Sequence, residues 1–123
     1  MYKATIRETS REFTAKERIM FKDTANANKL DEMIDAHGAV TVSVADYVIL
    51  DVHNDEAKDR KDYTKIVIVD TEGEKYVTGS ESFVRAFKDI YDELAGEQFI
   101  ISCFKKDSKN YAGKQFMTCS LVG

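Results

Sequence analysis

The spacing of hydrophobic positions changes several times along the chain, and each change predicts a different kind of element. Apolar and polar residues alternate over a short first segment, residues 2–7. Thr14 and Glu17 match the capping-box pattern that begins many helices, and they predict a helix over residues 15–21. A second helix is predicted from residue 27 to Gly38, because apolar residues recur there at helical spacing and glycine commonly ends a helix.

From residue 39 onward the apolar positions mostly alternate with a period of two, which is typical of strands. The apolar run over residues 40–53 predicts a strand so long that it should bend or bulge near Ala45 and Asp46. Four further strands are predicted over residues 63–70, 75–78, 99–105 and 114–122. A helix ending at Gly96 is predicted before the last two strands, because five apolar residues form one helical stripe: Phe83, Phe87, Ile90, Tyr91 and Leu94.

The order long bent strand, strand, strand, helix, strand, strand is that of the oligonucleotide- and oligosaccharide-binding (OB) fold, a five-stranded Greek-key barrel. We therefore predict a mostly β protein of the α+β class, with an OB-like barrel over residues 39–123. Residues 1–38 are predicted to form an N-terminal extension with two short helices. The ligand-gripping loops of such a barrel would be residues 53–62 and 106–113. Other small α+β domains share this linear order and remain alternatives.

The charge of the chain is unevenly distributed. Its 18 Lys and Arg against 22 Asp and Glu give a formal net charge of −4, which argues against a generally basic nucleic-acid coat protein. Divided along the sequence, the charge is 0 for residues 1–38, −7 for residues 39–98 and +3 for residues 99–123. No apolar run approaches the roughly 18 residues that would span a bilayer, and the first residues lack a signal-peptide pattern, so we expect a cytoplasmic protein.

The basic segment coincides with the last predicted hairpin, which carries the candidate binding residues. If Lys106 faces Lys114, alternation places Phe104 and Phe116 on one face of this hairpin. The opposite face is core-like and holds Phe99, Ile101, Cys103, Met117, Cys119 and Leu121. Single-strand binding uses aromatic rings that stack on bases and lysines that contact phosphates. We predict a nucleic-acid-binding site made of Phe104, Lys105, Lys106, Lys109, Tyr111, Lys114 and Phe116. In the alternative interpretation, the aromatic residues cover a second small core and the lysines belong to a solvated hairpin tip.

Patterns typical of enzymes and metal sites are missing from the sequence. There is no HExxH, GxSxG, Walker or GxGxxG motif, and His37 is placed to interact with the dipole at the end of a helix. Asp51, His53 and Asp55 could share one side of a strand and bind a metal, but a solvated strand end explains the same residues. The two cysteines, Cys103 and Cys119, predict buried free thiols. We expect a protein without catalytic activity, metal or cofactor.

Three segments of the second half, residues 63–70, 75–83 and 108–122, carry a resemblance to a known family. They resemble small single-stranded-DNA-binding proteins of phages and mobile elements of Gram-positive bacteria, and the resemblance covers roughly residues 40–122. It implies a barrel that coats single-stranded DNA in phage replication or recombination. The loop 55–62 departs from the electropositive loop expected for that family, because it has four acids and three bases.

The sequence leaves two other roles open: a protein-interaction module, and an enzyme whose site is not visible in one sequence. An acidic, compact chain without motifs equally suits a protein-interaction module, for example a phage-encoded inhibitor of a host defence complex of the anti-CRISPR type. A protein partner or a homo-oligomer would fit this role.

Overall fold

The computed structural model describes residues 2–56, 58, 61–94, 96–108 and 113–122. Within these ranges the chain is an α+β protein composed mostly of strands, as predicted. In chain order the elements are β1 (Tyr2–Thr9), α1 (Ala15–Lys22), β2 (Asn28–Lys29), α2 (Leu30–His37), β3 (Ala39–Asn54), β4 (Asp62–Asp70), β5 (Lys75–Thr78), α3 (Glu81–Leu94), β6 (Phe99–Asp107) and β7 (Gln115–Leu121). In the described part of the chain, no helix is long and apolar enough to cross a membrane.

Strand β3 organises the sheet, because its 16 residues pair with three other strands. Its first half pairs with β6 and its second half with β1, while β4 runs along the opposite edge. The register shifts between Val44 and Asp46, which confirms the predicted bend. The extra residue of this bulge resets the alternation, so Tyr47 and Ile49 lie on the same face as Val42 and Val44.

The sheet is curled but open. Its strand order is β2-β5-β4-β3-β6-β7, with β1 also paired to β3. Closing these strands into a barrel would require pairing between β5 and β7, and no such pairing occurs among the described residues. The two ends are instead joined through the start of α3, where Ser82 Oγ donates a hydrogen bond to the carbonyl of Met117 in β7 (2.7 Å).

Apolar side chains form two clusters on opposite faces of the sheet. The larger cluster lies beneath α2 and α3, and it includes Phe83 and Phe87 of the predicted helical stripe. The smaller cluster lies on the other face, where Phe13 and Phe21 stack at 4.7 Å and cover strands β3, β4 and β5. The predicted N-terminal extension therefore contributes both strands and core residues, including Leu30 of α2.

The short helix α1 is held by polar contacts at both ends. Thr14 Oγ1 accepts from the Glu17 amide (3.2 Å), and Glu17 Oε1 accepts from the Thr14 amide (2.9 Å), which confirms the capping box. At the other end, Lys75 Nζ donates to the carbonyls of Met20 (2.8 Å) and Asp23 (2.9 Å). A cation is favourable there, because the last carbonyls of a helix have no partners within the helix.

Candidate nucleic-acid interface

Those predicted binding residues that the structure describes lie on the β6–β7 hairpin, whose register differs from the predicted one. Lys106 pairs with Phe116, and Phe104 pairs with Thr118. The predicted pairing of Lys106 with Lys114 was therefore wrong by two residues. The assignment of faces is unchanged, because side chains alternate with a period of two and a shift of two residues keeps each on its side.

The inner face of the hairpin packs into the larger apolar cluster beneath α2 and α3. Five of the six side chains predicted for this face are buried: Phe99, Ile101, Cys103, Met117 and Cys119. Leu121, the last residue of the edge strand β7, is 51% exposed, so the prediction was wrong for this residue.

The outer face of the hairpin, opposite α2 and α3, carries two aromatic rings. Phe116 is 39% exposed and Phe104 is half-buried. They occupy diagonal positions of the β6–β7 ladder, which are about 7–8 Å apart in an antiparallel pair. Lys106 is exposed and lies directly across from Phe116.

Hydroxyl side chains surround these rings. Thr118 lies across from Phe104, and Ser102 pairs with Thr41 of β3, so all three share the outer face. The hairpin patch is defined by six residues: Thr41, Ser102, Phe104, Lys106, Phe116 and Thr118. It combines flat apolar surfaces, one cation, and hydroxyl donors and acceptors, which can contact bases, phosphates and sugars.

The other predicted binding residues do not all join this surface. Lys105 lies toward the helix-covered face, where its Nζ is 2.6 Å from Asp35 Oδ1 of α2. Lys114 is exposed just before β7, and its carbonyl accepts from the Ser108 amide (2.9 Å). Lys109 and Tyr111 lie outside the described residues.

A polar cleft that the sequence did not predict lies at the far end of β3. It has a volume of about 390 Å³, and its lining includes Lys3, Thr5, Arg7, Asp51 and His53. Arg7 Nε donates to Asp51 Oδ2 (3.0 Å). The cleft exists because β1 pairs with the second half of β3, and no local sequence pattern reveals such a distant pairing.

His53 forms a cluster with carboxylates at the start of the β3–β4 loop. Its Nδ1 is 2.5 Å from Asp62 Oδ1, and its Nε2 contacts Asp55. Hydrogen bonds to Asp62 and then to Asp55 raise the pKa of His53 above its usual 6.5. Asp51 is paired with Arg7 instead of joining this cluster. Among the described residues, no group of three or more His, Cys, Asp or Glu is arranged to hold a metal ion.

A partly buried polar network joins β1, β3 and α3. The Tyr47 hydroxyl donates to Glu8 and accepts from Lys88 Nζ (2.8 Å), which also pairs with Asp92 (3.1 Å). Burial, together with the contact to Glu8, raises the pKa of Tyr47 to about 12. The phenol therefore stays protonated and the network serves to fasten β1 to α3.

Comparison with known proteins gave no relative. No protein-family model, no curated protein sequence and no solved structure matches this chain.

Proposed function

We propose that the protein is a non-catalytic single-stranded-DNA-binding protein of a phage or mobile element that acts in replication or recombination. The observation that supports this most directly is the hairpin patch, where Phe104 and Phe116 lie diagonally on an outward sheet face beside Lys106. Aromatic rings stack on any base, and lysine neutralises the backbone phosphate, so this composition binds single strands without reading their sequence.

The charge distribution and the fold support the same proposal. Residues 99–123 carry +3 within a chain of −4, so the hairpin is the basic part of an acidic protein. In an OB-like barrel the loop between the last two strands grips the ligand, and the hairpin patch lies on the strands that lead into this loop. Hydroxyls of the patch would contact sugars and phosphates.

The number of rings and lysines in the hairpin patch determines how much binding affinity each substitution should remove. Two rings give two stacking positions, and removing one ring costs about 1–3 kcal/mol per base, which corresponds to roughly a 5- to 150-fold loss of affinity. The one lysine of the patch should make about one phosphate contact. Its removal should therefore reduce the slope of the logarithm of the binding constant against the logarithm of the salt concentration by about one.

Fluorescence polarisation with labelled oligo-dT across a salt series tests the proposal. We expect binding that weakens as salt is added, a loss of affinity in Phe116→Ala of roughly 5- to 150-fold, and a smaller salt slope in Lys106→Ala. Lys105→Ala is the matched control: it removes the neighbouring lysine, which is paired with Asp35 away from the patch, and should leave affinity unchanged. Absence of binding at low salt, or equal losses in the two lysine variants, would refute the proposal.

A protein-interaction module, such as a phage-encoded inhibitor of a host defence complex, is the second candidate function. It is favoured by two exposed apolar side chains on α1, Ile19 (69% exposed) and Met20 (63% exposed). Met20 lines a cleft of about 270 Å³, together with Phe21 and Val69. Contiguous exposed apolar surface is typical of protein contact sites. A stoichiometric protein that wild type captures from nuclease-treated host lysate, and that Met20→Glu loses, would favour this function.

A further inference from the structure

The two cysteines of the chain lie directly opposite each other in the β6–β7 ladder. Cys103 of β6 is the register partner of Cys119 of β7. Their side chains are 0% and 7% exposed, both point to the inner face, and both are free thiols. The sequence alone shows only that they are sixteen positions apart.

The hydrogen bonds at both ends of the hairpin establish which kind of pair the cysteines form. The Ser108 amide donates to the carbonyl of Lys114 (2.9 Å), and the Val122 amide donates to the carbonyl of Ile100 (2.8 Å). In an antiparallel ladder, hydrogen-bonded and non-hydrogen-bonded pairs alternate. Pairs between even-numbered residues are therefore the hydrogen-bonded ones, and the cysteines form a non-hydrogen-bonded pair.

This type of pair has the spacing that a disulfide needs. Opposed Cα atoms in non-hydrogen-bonded pairs are about 4.5 Å apart, closer than in the hydrogen-bonded type. Disulfides span Cα distances of about 4.4–6.8 Å, so the pair falls at the short end of the permitted range. The bond therefore requires no change in the register of β6 and β7.

We propose that Cys103 and Cys119 form a reversible cross-strand disulfide that covalently links β6 to β7 under oxidising conditions. The oxidant is a small-molecule disulfide of the glutathione class. One cysteine thiolate attacks this disulfide, forms a mixed disulfide and releases one small thiol. The second cysteine thiolate then attacks the cysteine sulfur of this mixed disulfide, forms the Cys103–Cys119 bond and releases the second small thiol. The two protein sulfurs lose two electrons, and the two protons go to the released thiols.

The surroundings of the pair make this reaction depend on opening of the hairpin. Burial raises the pKa of the Cys103 thiol to about 12, with a further contribution from Cys119, and burial also raises the pKa of Cys119 to about 12. Both thiols are therefore protonated and unreactive while the hairpin is closed, since the thiolate is the attacking species. In the described residues β7 pairs only with β6, so opening this edge strand exposes Cys119.

The disulfide would lie on the inner face of the hairpin and would restrict the motion of the two strands that carry the hairpin patch on the outer face. Phe104 and Thr118 directly adjoin the two cysteines in their strands and point to the opposite face. The inference does not rest on the proposed function, because it concerns the covalent state of the hairpin whatever ligand the outer face binds.

Refolding in a redox buffer tests the proposal without depending on access to the buried thiols. The full chain is unfolded in denaturant with its thiols reduced, then refolded in a glutathione buffer rich in oxidised glutathione. We expect a monomer with a native circular dichroism spectrum and a mass lower by two hydrogens. Digestion should yield one linked pair of peptides that contain Cys103 and Cys119, and dithiothreitol should reverse the change.

Wild type gives the decisive result, and a variant serves as control. Cys119→Ala should retain one thiol and show no loss of two hydrogens; if it fails to fold, Cys103→Ala provides the same control. The proposal is overturned if wild type regains its native spectrum with both thiols reduced, with glutathione on each cysteine separately, or with disulfides only between chains.

Discussion

Replacing Phe87 by alanine tests how α3 is held against the sheet. Phe87 is 0% exposed. Its ring centroid is 5.3 Å from that of Tyr47 in β3 and 6.1 Å from that of Phe99 in β6. The side chain therefore links the helix to both the central strand and the hairpin strand, and its removal leaves a cavity between three elements.

The magnitude follows from the area that the ring removes from water. A buried aromatic side chain covers about 150–250 Å², which at about 25 cal/mol per Å² corresponds to about 4–6 kcal/mol. Measured truncations of core phenylalanines cost about 3–5 kcal/mol, the range we expect for Phe87→Ala. With an unfolding entropy of about 2.1 cal/mol/K per residue, a chain of 123 residues should lose about 12–19 °C in melting temperature.

Urea unfolding followed by far-UV circular dichroism measures this loss. Ile19→Ala is the control, because Ile19 is 69% exposed on α1 and its truncation should change the free energy of unfolding by less than about 0.5 kcal/mol. A cost below about 1 kcal/mol for Phe87→Ala, or a cost equal to that of the control, would show that α3 does not pack as described.

Three further predictions concern single polar groups and one glycine. Thr14→Ala removes the oxygen that accepts from the Glu17 amide, so it should cost about 1 kcal/mol in urea unfolding and speed amide exchange in α1. Gly38→Ala should cost about 1 kcal/mol, because Gly38 has a φ of 83°, although its added Cβ would meet nothing within 4 Å. His53 should titrate by NMR with a pKa above 6.5, since Asp62 raises it. Its stabilising contribution is fully present below pH 6.5 and is lost as the pH rises through the raised pKa, so His53→Gln should flatten this part of the stability profile. A midpoint for His53 at or below 6.5 would contradict the contacts with the carboxylates.

The elements that could be predicted from the sequence are those encoded by neighbouring residues. Thr14 and Glu17 are three positions apart and cap α1 as predicted. The stripe that includes Phe83 and Phe87 also needed only local spacing. The bend in β3 was predictable because the apolar run over residues 40–53 is too long for one regular strand.

The pairings that the sequence did not reveal join residues far apart along the chain. β1 pairs with β3 across 39 to 52 positions, and Asn28 and Lys29 pair in parallel with β5 instead of starting α2. The faces of the hairpin were predictable without its register, so Phe104 and Phe116 were assigned to the outer face. The same alternation places Lys105 on the opposite face from Lys106, but its contact with Asp35 could not be predicted, because it depends on where α2 packs.

The hydrogen bond between Ser82 and Met117 has a consequence for the shape of the sheet. In a closed barrel the number of strands and their stagger fix the radius. Across the described residues this sheet has no closing ladder, and one hydroxyl-to-carbonyl contact, worth about 1 kcal/mol, joins the start of α3, which follows β5, to β7. We therefore expect its curvature to follow the volume of the side chains that fill the side beneath α2 and α3. Substitutions beneath α3 should reshape the convex surface that displays Phe116, even though they never touch it.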